Sequence, residues 1–153
     1  CMNVREPQKC SSLYESKSGE RGIFNRVSAR SKSEANGRRD SNHEFGTNPC
    51  GEIILRPNGL CNLSEVVVRS TDAFGDLKSK VEIATIIGTF QSTLTDFRYV
   101  RPIWKRNAEE ERLLGVSFTG IMDHPLLSGA ETEDTNVLSA ILKELRDHAI
   151  ETN

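Results

Sequence analysis

No stretch of this sequence is long and apolar enough to cross a bilayer. The longest run, around Val81 to Phe90, is broken by Glu82, Thr85, Gly88 and Thr89, far short of the roughly 20 apolar residues a spanning helix needs. The chain opens on Cys1 with no basic segment followed by an apolar one, so neither a signal peptide nor an initiator methionine is visible, and a piece cut from something longer is expected. Aromatic residues make up only 6% and hydrophobic residues 36%, a composition that suits a thin core or a slice of a larger protein. An excess of one charge is missing too. Lys and Arg number 20 against 22 Asp and Glu, a net charge of −2, which gives no general nucleic-acid surface and no attraction to an anionic membrane. The four cysteines, at 1, 10, 50 and 61, form no C-x-x-C pair and no dense pattern. Without an export signal they do not read as a disulfide scaffold, and the expected compartment is the cytoplasm, where thiols stay reduced unless they do redox work. His43, His124 and His148 lack metal-ligand spacing, so no metal is assigned and structural or solvated roles are expected for them. Internal repeats and low-complexity tracts are absent as well.

What is present fits one domain of 153 residues. Residues 1–12 read as an irregular leading segment, followed by a short helix around Leu13 to Lys17. Arg26 to Asn36 reads as a polar helix stopped by Asn36-Gly37, and Arg38 and Arg39 then fall in a loop. They are either solvated charge or partners for a phosphate or carboxylate. Glu52 to Leu55 and Leu63 to Arg69 are β-prone on either side of Arg56-Pro57-Asn58-Gly59, which predicts a hairpin. Leu77, Val81, Ala84, Ile87, Phe90, Leu94 and Phe97 recur at steps of three and four, the spacing of one apolar face on a helix across Asp72 to Asp96. Gly88 inside it costs about 1 kcal/mol against alanine, so a close packing contact is expected there. A basic, aromatic passage follows, with Arg98, Tyr99, Arg101, Trp104, Lys105 and Arg106; it reads as a surface turn, with stacking on a nucleotide as the sharper alternative. A helical turn at Glu109 to Arg112 leads into a buried strand, Leu113 to Gly120. Asp134 or Thr135 caps a last helix with Val137, Leu138, Ile141, Leu142, Leu145 and Ala149 on its apolar face. Strands alternating with amphipathic helices make an α/β protein with three or four strands, too few to close a parallel barrel.

The chemistry concentrates between Gly46 and Val68. If Cys50 and Cys61 flank a two-stranded turn, both thiols can reach shared substrate atoms, and strand parity places Asn48, Cys50 and Glu52 on one side. Pro49 fixes φ and Gly51 permits close approach of the backbone. A carboxylate beside a thiol suits acid–base work on a hydroxyl, and an asparagine amide can order such a pair. The plainer alternative is two structural cysteines and a solvated glutamate.

The string Asn48-Pro49-Cys50-Gly51-Glu52-Ile53, followed by Cys61-Asn62-Leu63, resembles the active-site signature of ribonucleotide reductases in their adenosylcobalamin-dependent, class II form. Ser18 to Arg26 and Glu110 to Ile121 resemble flanking segments of the same family in the same order, so the likeness runs from about Leu13 to Asn153. It implies that residues 13–153 are a fragment of a ten-stranded α/β barrel carrying the radical-cysteine loop. It implies that Cys50 becomes a thiyl radical that abstracts the 3′ hydrogen of a ribose, with Glu52 as base for the 3′ hydroxyl. Cys61 is implied to be one of two reducing cysteines that end as a disulfide, and Asn48 the amide that orders the network. The implied partners are a ribonucleoside di- or triphosphate, the remaining segments of the reductase and a thioredoxin-like reductant. The implied cofactor is adenosylcobalamin, which supplies the radical that the protein positions and shields.

The second reducing cysteine has no counterpart here, since Cys1 and Cys10 match nothing in the family pattern, and the phosphate loop, the allosteric region and the cobalamin-contacting segments are missing. Adenosylcobalamin is therefore expected to be held mainly by segments outside this chain, which by itself is expected to be inactive. Two rivals stand beside the enzyme: a non-catalytic fragment, and a gene piece left by an intein-type element. A self-splicing element itself would also begin with Cys and end with Asn, as this chain does, but Thr152 stands where that chemistry needs a histidine, and an intervening element on either side would instead explain such ends.

Overall fold

The chain divides between Gly59 and Leu60 into two units, Cys1–Gly59 and Leu60–Asn153, where the composition suggested a single core. A computed structural model describes residues 7–18, 22–35, 37–130 and 134–153; the side chains of 7–10 and 13 fall outside that description. Cys1, the Cys10 thiol, the Asn36 helix stop and residues 19–21 of the first flanking segment therefore lie outside the described residues.

In the first unit, α1 (Pro7–Ser16) covers residues that read as irregular up to position 12. Proline suits the first helical position, where its missing N–H removes no intrahelical bond, and Lys17 ends the helix at a left-handed φ of 48°. Helix α2 (Arg26–Glu34) is capped by Asn25, whose side chain accepts from the Ser28 N–H at 3.0 Å. The core here is small. Phe45 is fully buried with Ala29 and Ser33 nearby in burial, and the Arg39 guanidinium lies 5.1 Å from the Phe45 ring centre. Arg39 also donates to the Ile54 carbonyl at 3.1 Å, and Arg26 to the Phe45 carbonyl at 3.1 Å. Arg39 is thus occupied in holding the unit together, contrary to the phosphate-partner alternative. Strands β1 (Gly46–Thr47) and β2 (Ile54–Leu55) pair antiparallel, Gly46 opposite Leu55 and Thr47 opposite Ile54.

The second unit is built on β3 (Cys61–Val67) and β4 (Leu113–Thr119), which run parallel from Cys61 opposite Leu113 to Val67 opposite Thr119. A parallel pair needs a crossover, supplied here by α3 (Phe74–Ser92) and α4 (Pro102–Glu111). The predicted hairpin between Glu52–Leu55 and the valine-rich strand therefore does not form. Arg56 to Gly59 does turn, with the Gly59 N–H on the Arg56 carbonyl at 2.9 Å and Asn58 at φ 59°. However, β3 finds a seven-residue partner in β4, where β2 offers two residues. The basic passage is also corrected, because Pro102 starts a helix that takes in Trp104, Lys105 and Arg106 and stops at Arg112 in the left-handed region.

Alternation sorts the sheet. Val66 on β3 and Val116 and Phe118 on β4 pack with Val68, Leu77, Val81, Ala84 and Leu127 into one cluster that Leu145, Leu138, Ile141 and Ala149 of α5 (Thr135–Thr152) complete. Ser64 donates to the Ala84 carbonyl at 2.9 Å on the same side. Asp134 caps α5, accepting from the Asn136 N–H at 2.9 Å, as its sequence anticipated. The expected apolar stripe of α3 is only half right: Leu77, Val81 and Ala84 are buried, but the buried line continues through Thr85, Gly88 and Ser92, leaving Ile87, Phe90 and Leu94 exposed. Gly88 does meet a close neighbour, since a Cβ there would lie 2.0 Å from a Leu114 methyl. His124 is buried and satisfied, with Nε2 at 2.9 Å from the Asp72 carbonyl and Nδ1 accepting from the Leu127 N–H at 3.3 Å. The Asp72 carboxylate pairs with Lys80, and that hydrogen bond, followed by one from the Arg69 N–H, holds its pKa below the usual carboxylate range.

Candidate active site

Asn48 to Ile53 is the connection between β1 and β2, so Cys50 and Glu52 stand in a turn and strand parity does not govern where they point. The turn has its own physical logic. Asn, Pro and Gly at its first, second and fourth positions are residues that favour a four-residue turn, and the Gly51 N–H closes it on the Asn48 carbonyl at 3.1 Å. Gly51 follows Cys50 at φ +89°, which a residue with a Cβ adopts only under strain. Cys50 is left at the tip, exposed and with a free thiol.

Asn48 does most of the fastening. Its Oδ1 accepts from the Gly51 N–H at 3.2 Å and the Ile53 N–H at 3.0 Å. Its Nδ2 donates to Glu52 Oε1. One side chain thereby ties two backbone donors after the thiol, those of Gly51 and Ile53, and orients the carboxylate two residues beyond it. We expect Asn48→Ala to speed amide hydrogen exchange at Gly51 and Ile53 by roughly 3- to 10-fold, the equivalent of about 0.5–1.5 kcal/mol per lost bond. Asn48→Asp, which keeps the acceptor, should leave those two amides near wild type. Unchanged exchange in the alanine variant would show that the turn stands without the side chain.

Cys61 belongs to the second unit and is the first residue of β3, half-buried and not in a disulfide. It shares parity with Leu63, Glu65 and Val67, all exposed, and it faces Leu113 across the parallel register. This is the side of the sheet away from α3. Gly115, Ser117 and Thr119 carry that side on β4, and a Cβ on Gly115 would come within 2.8 Å of a Leu63 methyl. Parallel sheets are ordinarily covered on both faces, and among the described residues this face stays open. Further along the same face stand the polar Glu65, Ser117 and Thr119, which the sequence did not single out; alternation counted from Cys61 and Leu113 was the signal that could have found them.

Among the described residues, no three His, Cys, Asp or Glu side chains are placed to hold a metal ion, and no helix is long and apolar enough to cross a membrane. A cavity of about 740 Å³ in the first unit is lined by Phe24, Val27, Ala29, Lys32, Ala35 and Ile54, among others. Its lining contains neither a thiol nor a carboxylate, and it does not include Cys50. Nothing in this lining fits adenosylcobalamin.

No family model matches the chain, and no solved structure matches it. Among curated proteins, the chain is similar to adenosylcobalamin-dependent ribonucleoside-triphosphate reductases. It is 37% identical over 79 residues to that of Lactobacillus acidophilus, covering 51% of this chain and 10% of the relative. With that of Lacticaseibacillus paracasei it is 37% identical over 120 residues, 72% of this chain and 15% of the relative. With that of Lactobacillus gasseri the figures are 31% over 110 residues, 67% and 14%. The chain thus spans between 10% and 15% of the length of these relatives.

Proposed function

We propose that this chain is part of the catalytic barrel of an adenosylcobalamin-dependent ribonucleotide reductase and carries its radical cysteine. The observation that carries the reading is the Asn48–Glu52 turn, which presents Cys50 at its tip with a carboxylate held by Asn48. The open face of a parallel sheet bearing Cys61 supports it, since an incompletely covered sheet suits a slice of a barrel better than a finished domain.

In this reading the Cys50 sulfur, as a thiyl radical, takes the 3′ hydrogen of the ribose and becomes a thiol. Glu52 accepts the proton of the 3′ hydroxyl, and the 2′ hydroxyl leaves as water. Two thiols supply two electrons and two protons and join as a disulfide: one proton leaves in the water, and the other hydrogen ends on C2′. Glu52 gives its proton back to the 3′ oxygen, and Cys50 returns its hydrogen to C3′ and is again a thiyl radical. Cys61 is one of the two thiols, and its partner lies in a segment outside these residues. A thioredoxin-like dithiol, itself oxidised, restores the pair. The named relatives are triphosphate reductases, and the triphosphate is the substrate proposed for this chain, with the cytoplasm as the compartment. Adenosylcobalamin would be held by other segments and would supply the radical there.

The test is a complete reductase assembled from this chain and the segments it lacks. Deoxynucleotide formation should require adenosylcobalamin, and tritium placed at the 3′ position of the substrate should be mobilised. Turnover that depends on iron or manganese and ignores adenosylcobalamin would move the protein to another reductase class. The absence of any 3′ exchange would remove it from reductase chemistry.

A further inference from the structure

The ribbon that carries the Cys50 turn is very short. β1 and β2 share two residue pairs, Gly46 with Leu55 and Thr47 with Ile54, and so brief a ribbon is marginal in water without support from other elements. That support comes from two arginines, one on each arm of the turn. Arg26, the first residue of α2, donates through Nε to the Phe45 carbonyl at 3.1 Å, just ahead of β1. Arg39, in the loop that follows α2, donates through Nη2 to the Ile54 carbonyl of β2 at 3.1 Å. Its guanidinium also lies 5.1 Å from the centre of the fully buried Phe45 ring, a distance at which the ring face attracts a cation. Arg39 therefore engages both arms.

From Ile54 the connections lead to the carboxylate. The preceding residue, Ile53, has its N–H on Asn48 Oδ1 at 3.0 Å and accepts at its carbonyl from the Asn48 N–H at 3.4 Å. Asn48 Nδ2 in turn holds Glu52 Oε1. A shift of Ile54 thus moves the Asn48–Ile53 pair, and Glu52 with it. We propose that Arg39 is a positioning residue for the chemistry of this turn, fixing the Glu52 carboxylate through Ile54, Ile53 and Asn48. This role rests on the reductase reading for the reaction it serves, and on the hydrogen bonds alone for the order it imposes on the turn.

Arg39→Met keeps the aliphatic stem and loses the donor and the charge. In the chain itself, amide exchange at Gly51 and Ile53 should speed up by roughly threefold or more, the effect of one such lost bond, and Arg39→Lys, which keeps a donor and a cation, should restore most of the protection. In the assembled reductase a misplaced Glu52 slows loss of the 2′ hydroxyl more than removal of the 3′ hydrogen. Arg39→Met should therefore raise the 3′ tritium mobilised per deoxynucleotide formed by roughly threefold or more, whereas a loss of folded enzyme lowers both together and leaves the ratio unchanged. Arg30→Gln, which gives up a contact to Glu44 but no bond to either strand, should keep the wild-type exchange and ratio. Wild-type exchange in Arg39→Met, or a wild-type ratio in an active reductase, overturns the positioning role, as does an equal rise in Arg30→Gln. An assembled wild-type enzyme that forms no deoxynucleotide fails the reductase reading instead, and exchange in the chain still decides whether Arg39 orders the turn.

Discussion

Cys50→Ser in the assembled reductase should abolish turnover, with no deoxynucleotide above background and no mobilisation of 3′ tritium. An oxygen radical on serine is much harder to generate than a thiyl, so if Cys50 is the radical site the substitution removes the reaction at its first step while changing one atom at an exposed position. Because Cys50 packs in no core, the variant should melt like wild type, which separates lost chemistry from lost fold. If Cys61 is one of the two reducing thiols, Cys61→Ser should give the complementary result: 3′ tritium still mobilised, deoxynucleotide formation blocked, since only one of the pair remains. A Cys50→Ser enzyme that makes product at the wild-type rate would end the assignment of the radical to this turn. A Cys61→Ser enzyme that turns over repeatedly with a dithiol reductant would take Cys61 out of the electron path.

The largest effect on folding should come from Gly88. Alanine there would gain about 1 kcal/mol of helix propensity, yet its Cβ would lie 2.0 Å from one Leu114 methyl and 3.3 Å from the Leu114 Cγ. Overpacking of that kind costs about 1–3 kcal/mol, so the clash outweighs the propensity and Gly88→Ala should lower the urea midpoint of the second unit. Gly88→Val adds two more methyl groups without alanine's propensity and should unfold the unit or leave it barely stable. Adding Leu114→Ala to Gly88→Ala removes the opposing side chain, and the double variant should be more stable than the sum of the two single changes. Additive losses in that cycle would mean that α3 and β4 do not meet at this point.

The Gly88 contact was legible in the sequence because a glycine inside a strong helical period has few other reasons to be there. The α5 cap at Asp134 was legible for a similar local reason, as a short acidic side chain standing just ahead of an apolar period. The outer stripe of α3 was misread for the opposite reason. Residues 77 to 97 carry apolar side chains on two faces, and a period of three and four cannot say which face meets the sheet. Only the packing of Val81, Ala84 and Gly88 against β3 and β4 decides it. Arg39 shows the same limit, since its engagement with Phe45 and the Ile54 carbonyl depends on how the loop folds back and not on a local period.

By itself the sequence determined the α/β character and the turn residues Asn48, Pro49 and Gly51 around Cys50. These are properties of neighbours along the chain, and local sterics and hydrogen bonding suffice for them. The partner of β3 was decided only by the tertiary structure. The sequence offered Glu52–Leu55 across a good turn, but a strand gains its stability from the length of its ladder and from side chains packed on its faces, and β4, some fifty residues away, supplies both. That choice divides the Gly46–Val68 stretch between two units, with Cys50 in the turn of one and Cys61 at the head of a parallel strand in the other.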